Sequence, residues 1–318
     1  MTTPLSHIRV LDMSRILAGP WAAQTLADLG AEVIKIETPG TGDSARHAGP
    51  FFQDVPGLDR SGLFLYLNTN KLSITLDPIT ESGHQVFLDL IADTDVVLEN
   101  QKVGFPDSIG LGYDALHEIN PRLIVVSISP FGATGPYRDY QATDLVVGQM
   151  AGLGYLQPGK EEGTIDMPPI RPGGRQADFG AGLTAAAAMM HALFQRSVSG
   201  EGSHVDVSSV EAAIAGDTTI IGPYLEQGAV EHRLPVGSTE GIGVGGYRLP
   251  CKDGYLVFQT GTYGEWQTFV DVMGNPEWTQ DERFQELEAR KECFLGTRPE
   301  LFDWTRTQEK QALYHATQ

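Results

Sequence analysis

The chain has 318 residues, 41% hydrophobic and 20% charged, the balance of an ordinary folded protein rather than a disordered one. Its 41 acidic residues against 22 basic ones give a net charge of −19, which excludes broad nucleic-acid binding because that needs a basic face. Two cysteines, Cys251 and Cys293, exclude a disulfide framework and a Cys-rich zinc site. The opening stretch MTTPLSHIRVLDMS holds no signal-peptide core, and no window nears the roughly 20 apolar residues that span a bilayer. These features lead to the expectation of a cytoplasmic protein with no membrane or nucleic-acid partner.

In chain order, Ile8–Met13 reads as a short strand. Pro20, harmless in a first helical turn, opens a helix through Leu26 that Gly30 ends. Ala31–Glu37 (AEVIKIE) alternates with the period of a strand, and Ile79–Ala92 has helical spacing. Thr94–Leu98 and Leu123–Ser129 read as buried strands, with a helix from Pro106 to Glu118 between them. An Ala-rich helix covers Asp178–Phe194, followed by a strand at His204–Ser208 and a helix over Ser209–Gln227. Short strands alternating with helices specify βαβ units, hence a Rossmann-like parallel sheet covered on both faces. Ligands of such sheets sit at the carboxyl ends of the strands, here the loops after Asp12, Glu37 and Glu99.

Beyond Gly228 the texture changes. Gly237–Gly246 is dense in glycine, and YRLPCKDGYLVFQT reads as a hairpin turning at Asp253-Gly254. Helices then run past Trp266, Trp278 and Trp304. The expected organisation is a large α/β domain over residues 1–225 and a smaller α+β domain over residues 226–318.

Several chemistries drop out. There is no HExxH or CxxC metal motif, so no metal site is expected, and no GxSxG elbow. SRILAGP stands where a dinucleotide-binding GxGxxG would follow the first strand. The run GIGVGG at 241–246 reads, taken alone, as a loop. Asp178 stands just before the Ala-rich helix, in an N-cap position whose amides favour an ionised carboxylate. It is either a cap or a covalent nucleophile, and spacing does not decide. Gly180 and Gly182 clear bulk beside it. Asn100 and Lys102 lie at the rim of a strand, while Arg15 and Arg46, each in a Gly-containing loop, are candidate phosphate clamps.

The blocks VLDMSRILAGP, GAEVIKIETPGTGD, TNKLSITLD, VVLEN, GLGYDALHEINPRLIVVSISPFGATGPY and ADFGAGL, in this order, strongly resemble the family III CoA-transferases. These are the formyl-CoA, carnitine-CoA and benzylsuccinate-CoA type enzymes, which share their fold with α-methylacyl-CoA racemases. The resemblance runs from about Leu5 to Glu211 and continues more weakly through GYRLPCKDGYLVF. It implies an acyl-CoA:carboxylate CoA-transferase whose catalytic aspartate is Asp178, passing through aspartyl anhydride and aspartyl-CoA intermediates. No tightly bound cofactor is implied; coenzyme A and acyl-CoA are substrates, and a carboxylic acid is the acceptor.

The implied CoA contacts are Leu17, Ala18, Thr38, Leu76, Asn100, Gln101 and Lys102, with Arg15 and Thr143 beside them. Gly243, Gly245 and Gly246 are the implied substrate loop. Gln101 stands where the family has an aromatic residue, Val103 where it has proline, and Ser108 where it often has a base. Thr143 replaces a common tyrosine, and also the histidine the racemases use as a base. The implied assembly is an interlocked homodimer. Because the chain stops at Tyr314–Gln318, the family's C-terminal closing segment is expected to be missing, so the sequence reads as a fragment or a shortened relative, with a racemase of the same fold or a CoA-binding protein without turnover as the alternatives.

Overall fold

A computed structural model describes residues 3–154, 168, 170–216, 218–228, 230, 247–258, 262–293 and 299–318. They divide into two compact units, one from residues 3–154 and 171–218, the other from the remaining described residues.

The first unit is built on six parallel strands: β1 (Arg9–Asp12), β2 (Glu32–Glu37), β3 (Leu72–Thr75), β4 (Val96–Glu99), β5 (Ile124–Ser129) and β6 (Ser203–Ser208). Their order is β3-β2-β1-β4-β5-β6, so the winding reverses between β1 and β4 and opens a crevice at their carboxyl ends. The Rossmann-like reading of the sequence is thus the observed architecture. Alternation along the strands builds two cores. Val10, Val33, Leu98, Val126 and Val207 face α1 (Ala18–Asp28) and α7 (Gln176–Ser199). Leu11, Val97 and Val125 face α3 (Glu81–Ile91) and α5 (Tyr113–Ile119).

Differences from the sequence reading have local causes. β3 is an edge strand with no buried residue, and its LSIT alternates over only four residues, too short a run to be read as a strand. The helix expected over Pro106–Glu118 is two: α4 (Phe105–Ser108), then α5. Gly110 adopts φ +73 between them, and a Cβ on Gly112 would fall 2.0 Å from Asp107 Oδ1, so the chain must turn there. The Ala-rich helix starts at Gln176 and its cap residue is Arg175, so Asp178 is its third residue and not the N-cap. Within this unit, α2 (Gly62–Leu67), α6 (Asp144–Met150) and α8 (Ser209–Gly216) complete the described α-helices.

The helix read over Ser209–Gln227 is present in both of its described parts, α8 and α9 (Thr218–Gln227), the second of which leads into the second unit. β7 (Tyr247–Cys251) and β8 (Gly254–Phe258) form the expected hairpin. Its turn falls at Lys252-Asp253, one residue earlier than read, because Gly254 already pairs with Cys251. α10 (Tyr263–Val272) closes over a core of Leu249, Trp266, Phe269, Phe284 and Leu301. Thr262 and Glu265 cap it reciprocally.

Candidate active site at the strand carboxyl ends

The crevice is shaped by a buried ionic cluster that hydrophobic patterning does not announce. Val33, Lys35 and Glu37 alternate onto one face of β2, which carries a lysine into the interior. Lys35 Nζ lies 2.8 Å from Asp43 Oδ2 and donates to the Ser14 carbonyl; Lys71 Nζ lies 2.9 Å from Asp12 Oδ2. Burial pushes the Asp12 carboxyl up, but Lys35 and Lys71 with the Ser14 hydroxyl outweigh it and hold the group below its ordinary value. Burial likewise lowers Lys71. A pair of this kind is costly to break from one side. It fixes the segment between β1 and α1.

That segment is held in an unusual conformation. Ile16 has φ +66, which is strained for a β-branched residue. Its N–H donates to Asp43 Oδ1 at 2.9 Å. From across the crevice, Asn100 clasps the preceding residue in both directions: Arg15 N–H donates to Oδ1 and Nδ2 donates to the Arg15 carbonyl, each at 2.9 Å. The Arg15 guanidinium then reaches Thr38 Oγ1 at 3.0 Å. Arg15, Thr38 and Asn100, which lie far apart in sequence, are therefore neighbours around the switch point. Gln101 joins them, donating from Nε2 to the Met13 carbonyl at 3.3 Å. Lys102 is exposed, with no carboxylate paired to it among the described residues. Leu76 follows β3, bonded to the Glu37 carbonyl at 3.0 Å and packed on the α3 side. Leu17 and Ala18 are buried, so they present backbone rather than side chain.

Arg46 is removed from the phosphate candidates. Its guanidinium is spent on Glu37 at 2.7 and 2.8 Å and on Asp59 at 3.0 Å, and lies over the Phe64 ring. Burial raises the Glu37 carboxyl, but Arg46, the Asp43 N–H and the Ser73 hydroxyl bring it down to about 2.

Asp178 lies close to this region by way of helix packing. A Cβ on Gly182 would fall 2.4 Å from the Ala18 carbonyl, so Gly182 lets α7 seat against the start of α1. Asp178 is four residues, about 6 Å of helix, from that contact. Gly180 is different, with nothing within 4 Å of its would-be Cβ, so of the two glycines it alone leaves open space. Phe179 meets Trp21 edge-on at 5.3 Å, and Trp21 stacks on Tyr66 at 5.8 Å.

The residue that sequence reasoning missed is Asp144. It is buried at the first turn of α6, next to the exposed Thr143, and its Oδ1 accepts the Asp178 N–H at 3.3 Å. Arg175 has left-handed backbone and supplies no side-chain cap, so Asp144 serves α7 from outside. The consequence is electrostatic. Burial, then the Asp144 charge, push the Asp178 carboxyl up to about 6, against Arg175 and Arg171. The helix start was expected to favour the ionised carboxylate; desolvation and a second carboxylate oppose it, yet a group at about 6 is still ionised at neutral pH. Thirty-four residues separate the pair, and no local spacing rule joins them. Gly243, Gly245 and Gly246 lie outside the described residues.

The family model for CoA-transferase family III matches residues 5–318. The chain belongs to that family. This family III chain is 36% identical over 292 residues to the succinate–glutarate CoA-transferase of Agrobacterium fabrum, with 90% of the chain and 70% of that protein covered. It is 35% identical to the succinyl-CoA:glutarate CoA-transferase of Mus musculus, over 89% of the chain and 62% of that protein. A CAIB/BAIF family protein from Brucella suis superposes with a TM-score of 0.82 at 35% identity, covering the whole chain and 82% of that structure. The chain thus spans 62–70% of the length of these two curated relatives.

Proposed function

We propose that the protein transfers CoA from an acyl-CoA thioester to a carboxylic acid, with Asp178 as the covalent relay. The observation that carries this reading is a desolvated carboxylate, raised to about 6, at a helix start with open space at Gly180. At neutral pH such a group is ionised yet poorly solvated, the condition in which a carboxylate attacks an acyl carbon. Attack on the donor thioester gives a mixed anhydride and releases CoA thiolate. The thiolate attacks the aspartyl carbonyl, giving aspartyl-CoA and freeing the donor acid. The acceptor carboxylate then attacks aspartyl-CoA, giving a second anhydride and CoA thiolate, and the thiolate attacks the acceptor's acyl carbonyl, which expels the Asp178 carboxylate and delivers acceptor-CoA. Arg171 and Arg175 keep the relay group ionised between steps.

The cluster of Arg15, Thr38, Asn100, Gln101 and Lys102 would receive the nucleotide end of CoA, with Leu17, Ala18 and Leu76 as its floor. Asn100 acts there through Arg15, since its amide is engaged with the Arg15 backbone. The names of the relatives favour a short dicarboxylic acid among the carboxylates exchanged. A racemase reading lacks a base at Thr143, which does not titrate. A homodimer is supported by a stripe on α7, where Leu183, Phe194 and Val198 are 60%, 73% and 78% exposed. Among the described residues no helix is long and apolar enough to cross a membrane, and we place the protein in the cytoplasm.

Asp178→Ala tests the assignment. Transfer between succinyl-CoA and glutarate should disappear while CoA affinity, read by direct titration, stays within about threefold, because the lost group contacts the acyl carbon and not the nucleotide. Turnover surviving in that variant would remove Asp178 from the reaction.

A further inference from the structure

The sheet has a second opening beside the crevice, with Gln101 at the boundary between the two. On the α3/α5 face, at the carboxyl ends of β4, β5 and β6, lies a cavity of about 200 Å³. That is far more than the ~10–15 Å³ one water needs, and less than a drug-sized ligand fills. Asp178 belongs to α7, which packs on the other face.

Strand register assembles the polar floor. Glu99 pairs with Ser127, and Ser127 with Asp206, so the three stand in one row across the sheet. Ser129 follows two residues on, pointing the same way as Val125 and Ser127. Glu99 and Ser129 are 7% and 5% exposed, and both line the cavity. The Ser129 hydroxyl is buried without a hydrogen-bond partner among the described residues, an arrangement that costs stability unless something else meets it. Ser127 Oγ lies 2.9 Å from His204 Nε2, and the His204 ring stacks on Tyr113 at the exposed edge of β6.

The chemistry of the lining selects its guest. Glu99, Asp107, Asp114 and Asp206 all line the cavity, and among the described residues no lysine or arginine does. A carboxylate or a phosphate would meet repulsion there. Phe87, Leu111, Leu116 and Val125 supply an apolar wall. Among the described residues no three His, Cys, Asp or Glu side chains are placed to hold a metal ion. We infer that the cavity is a binding site for a small organic ammonium: an apolar body against the wall, its N–H donors shared between Glu99 and Ser129.

Calorimetric titration of the full chain with benzylammonium, benzyl alcohol and benzoate tests this. Benzylammonium should bind one to one and at least about tenfold more tightly than benzyl alcohol, and benzoate should give no heat. Ser129→Ala should weaken benzylammonium about fivefold with the fold no less stable, since the hydroxyl is unpartnered without a guest. Glu99→Gln should weaken it more than about tenfold. Should that variant not fold, Asp206→Asn, at the exposed mouth, should cost about threefold. Absence of saturable binding, equal affinity for the three probes, an unchanged Ser129→Ala, or a crystal soaked in benzylammonium showing only water in the cavity would each overturn the assignment. None of these readouts depends on Asp178, so the proposal stands or falls apart from CoA transfer.

Discussion

Asp178→Asn should stabilise the protein at neutral pH while removing its activity. Carrying a carboxyl from its ordinary 3.8 to about 6 means that the ionised form costs the folded state roughly 3 kcal/mol relative to the unfolded chain. The sign follows from linkage. Below pH ~4 both states hold the proton and no penalty exists; above pH ~6 both are ionised and the penalty is complete. Wild-type stability is therefore drained at this site as pH rises from about 4 to 6, whereas an amide does not titrate. A negative charge in the first turn of α7 also interacts favourably with the helix start, by about 0.3–1 kcal/mol, and the amide loses this. The expected net gain is about 2 kcal/mol at pH 7.5, fading to nothing near pH 4. Urea unfolding of both proteins at pH 4, 5, 6 and 7.5, at fixed ionic strength and protein concentration, reads it directly. A variant that is equally or less stable at pH 7.5, or a gap that does not change with pH, would refute the electrostatic account of Asp178.

Three further outcomes follow. Asp144→Asn keeps an acceptor for the Asp178 N–H but removes the neighbouring charge, so the acid limb of kcat/KM against pH should move to lower pH; an unmoved limb would mean that Asp144 does not set the nucleophile's charge state. Asn100→Ala releases both bonds to Arg15 and should cost about 1–3 kcal/mol of stability and raise KM for the CoA donor more than it lowers kcat, checked by unfolding and steady-state kinetics. Gly182→Ala should destabilise by about 1–3 kcal/mol, because its methyl meets the Ala18 carbonyl, whereas Gly180→Ala, facing open space, should fold normally; equal Tm values would show that α7 does not depend on that contact.

Much of the fold was legible because the evidence for it is local. VLDM, AEVIKIE and LIVVSIS carry apolar residues wherever a strand is buried, and Pro20 and Gly30 bracket a helix that the structure has. Legibility ended where burial did: LSIT, exposed along its length, alternates over only four residues and was not read as a strand although it is one. Asp178 could be singled out from its place before an Ala-rich helix, but not its environment, which comes from Asp144 on another helix. Arg15 and Asn100 could each be named, but not that one clasps the other, because the switch point joins residues 85 apart. Arg46 misled for the opposite reason, since a loop arginine looks free until Glu37 is seen to occupy it. The one lysine in AEVIKIE that alternates inward was the overlooked sign of the ionic cluster beneath the site.

Under the proposed relay, the Asp178 carboxyl forms a thioester with CoA during turnover. Succinyl-CoA mixed with the protein and quenched within the first turnover, then digested and weighed by mass spectrometry, should yield the Asp178 peptide carrying CoA as a thioester, converted to a hydroxamate when hydroxylamine is present. An Asp178 peptide that stays unmodified in samples where acceptor-CoA has demonstrably formed would contradict the account.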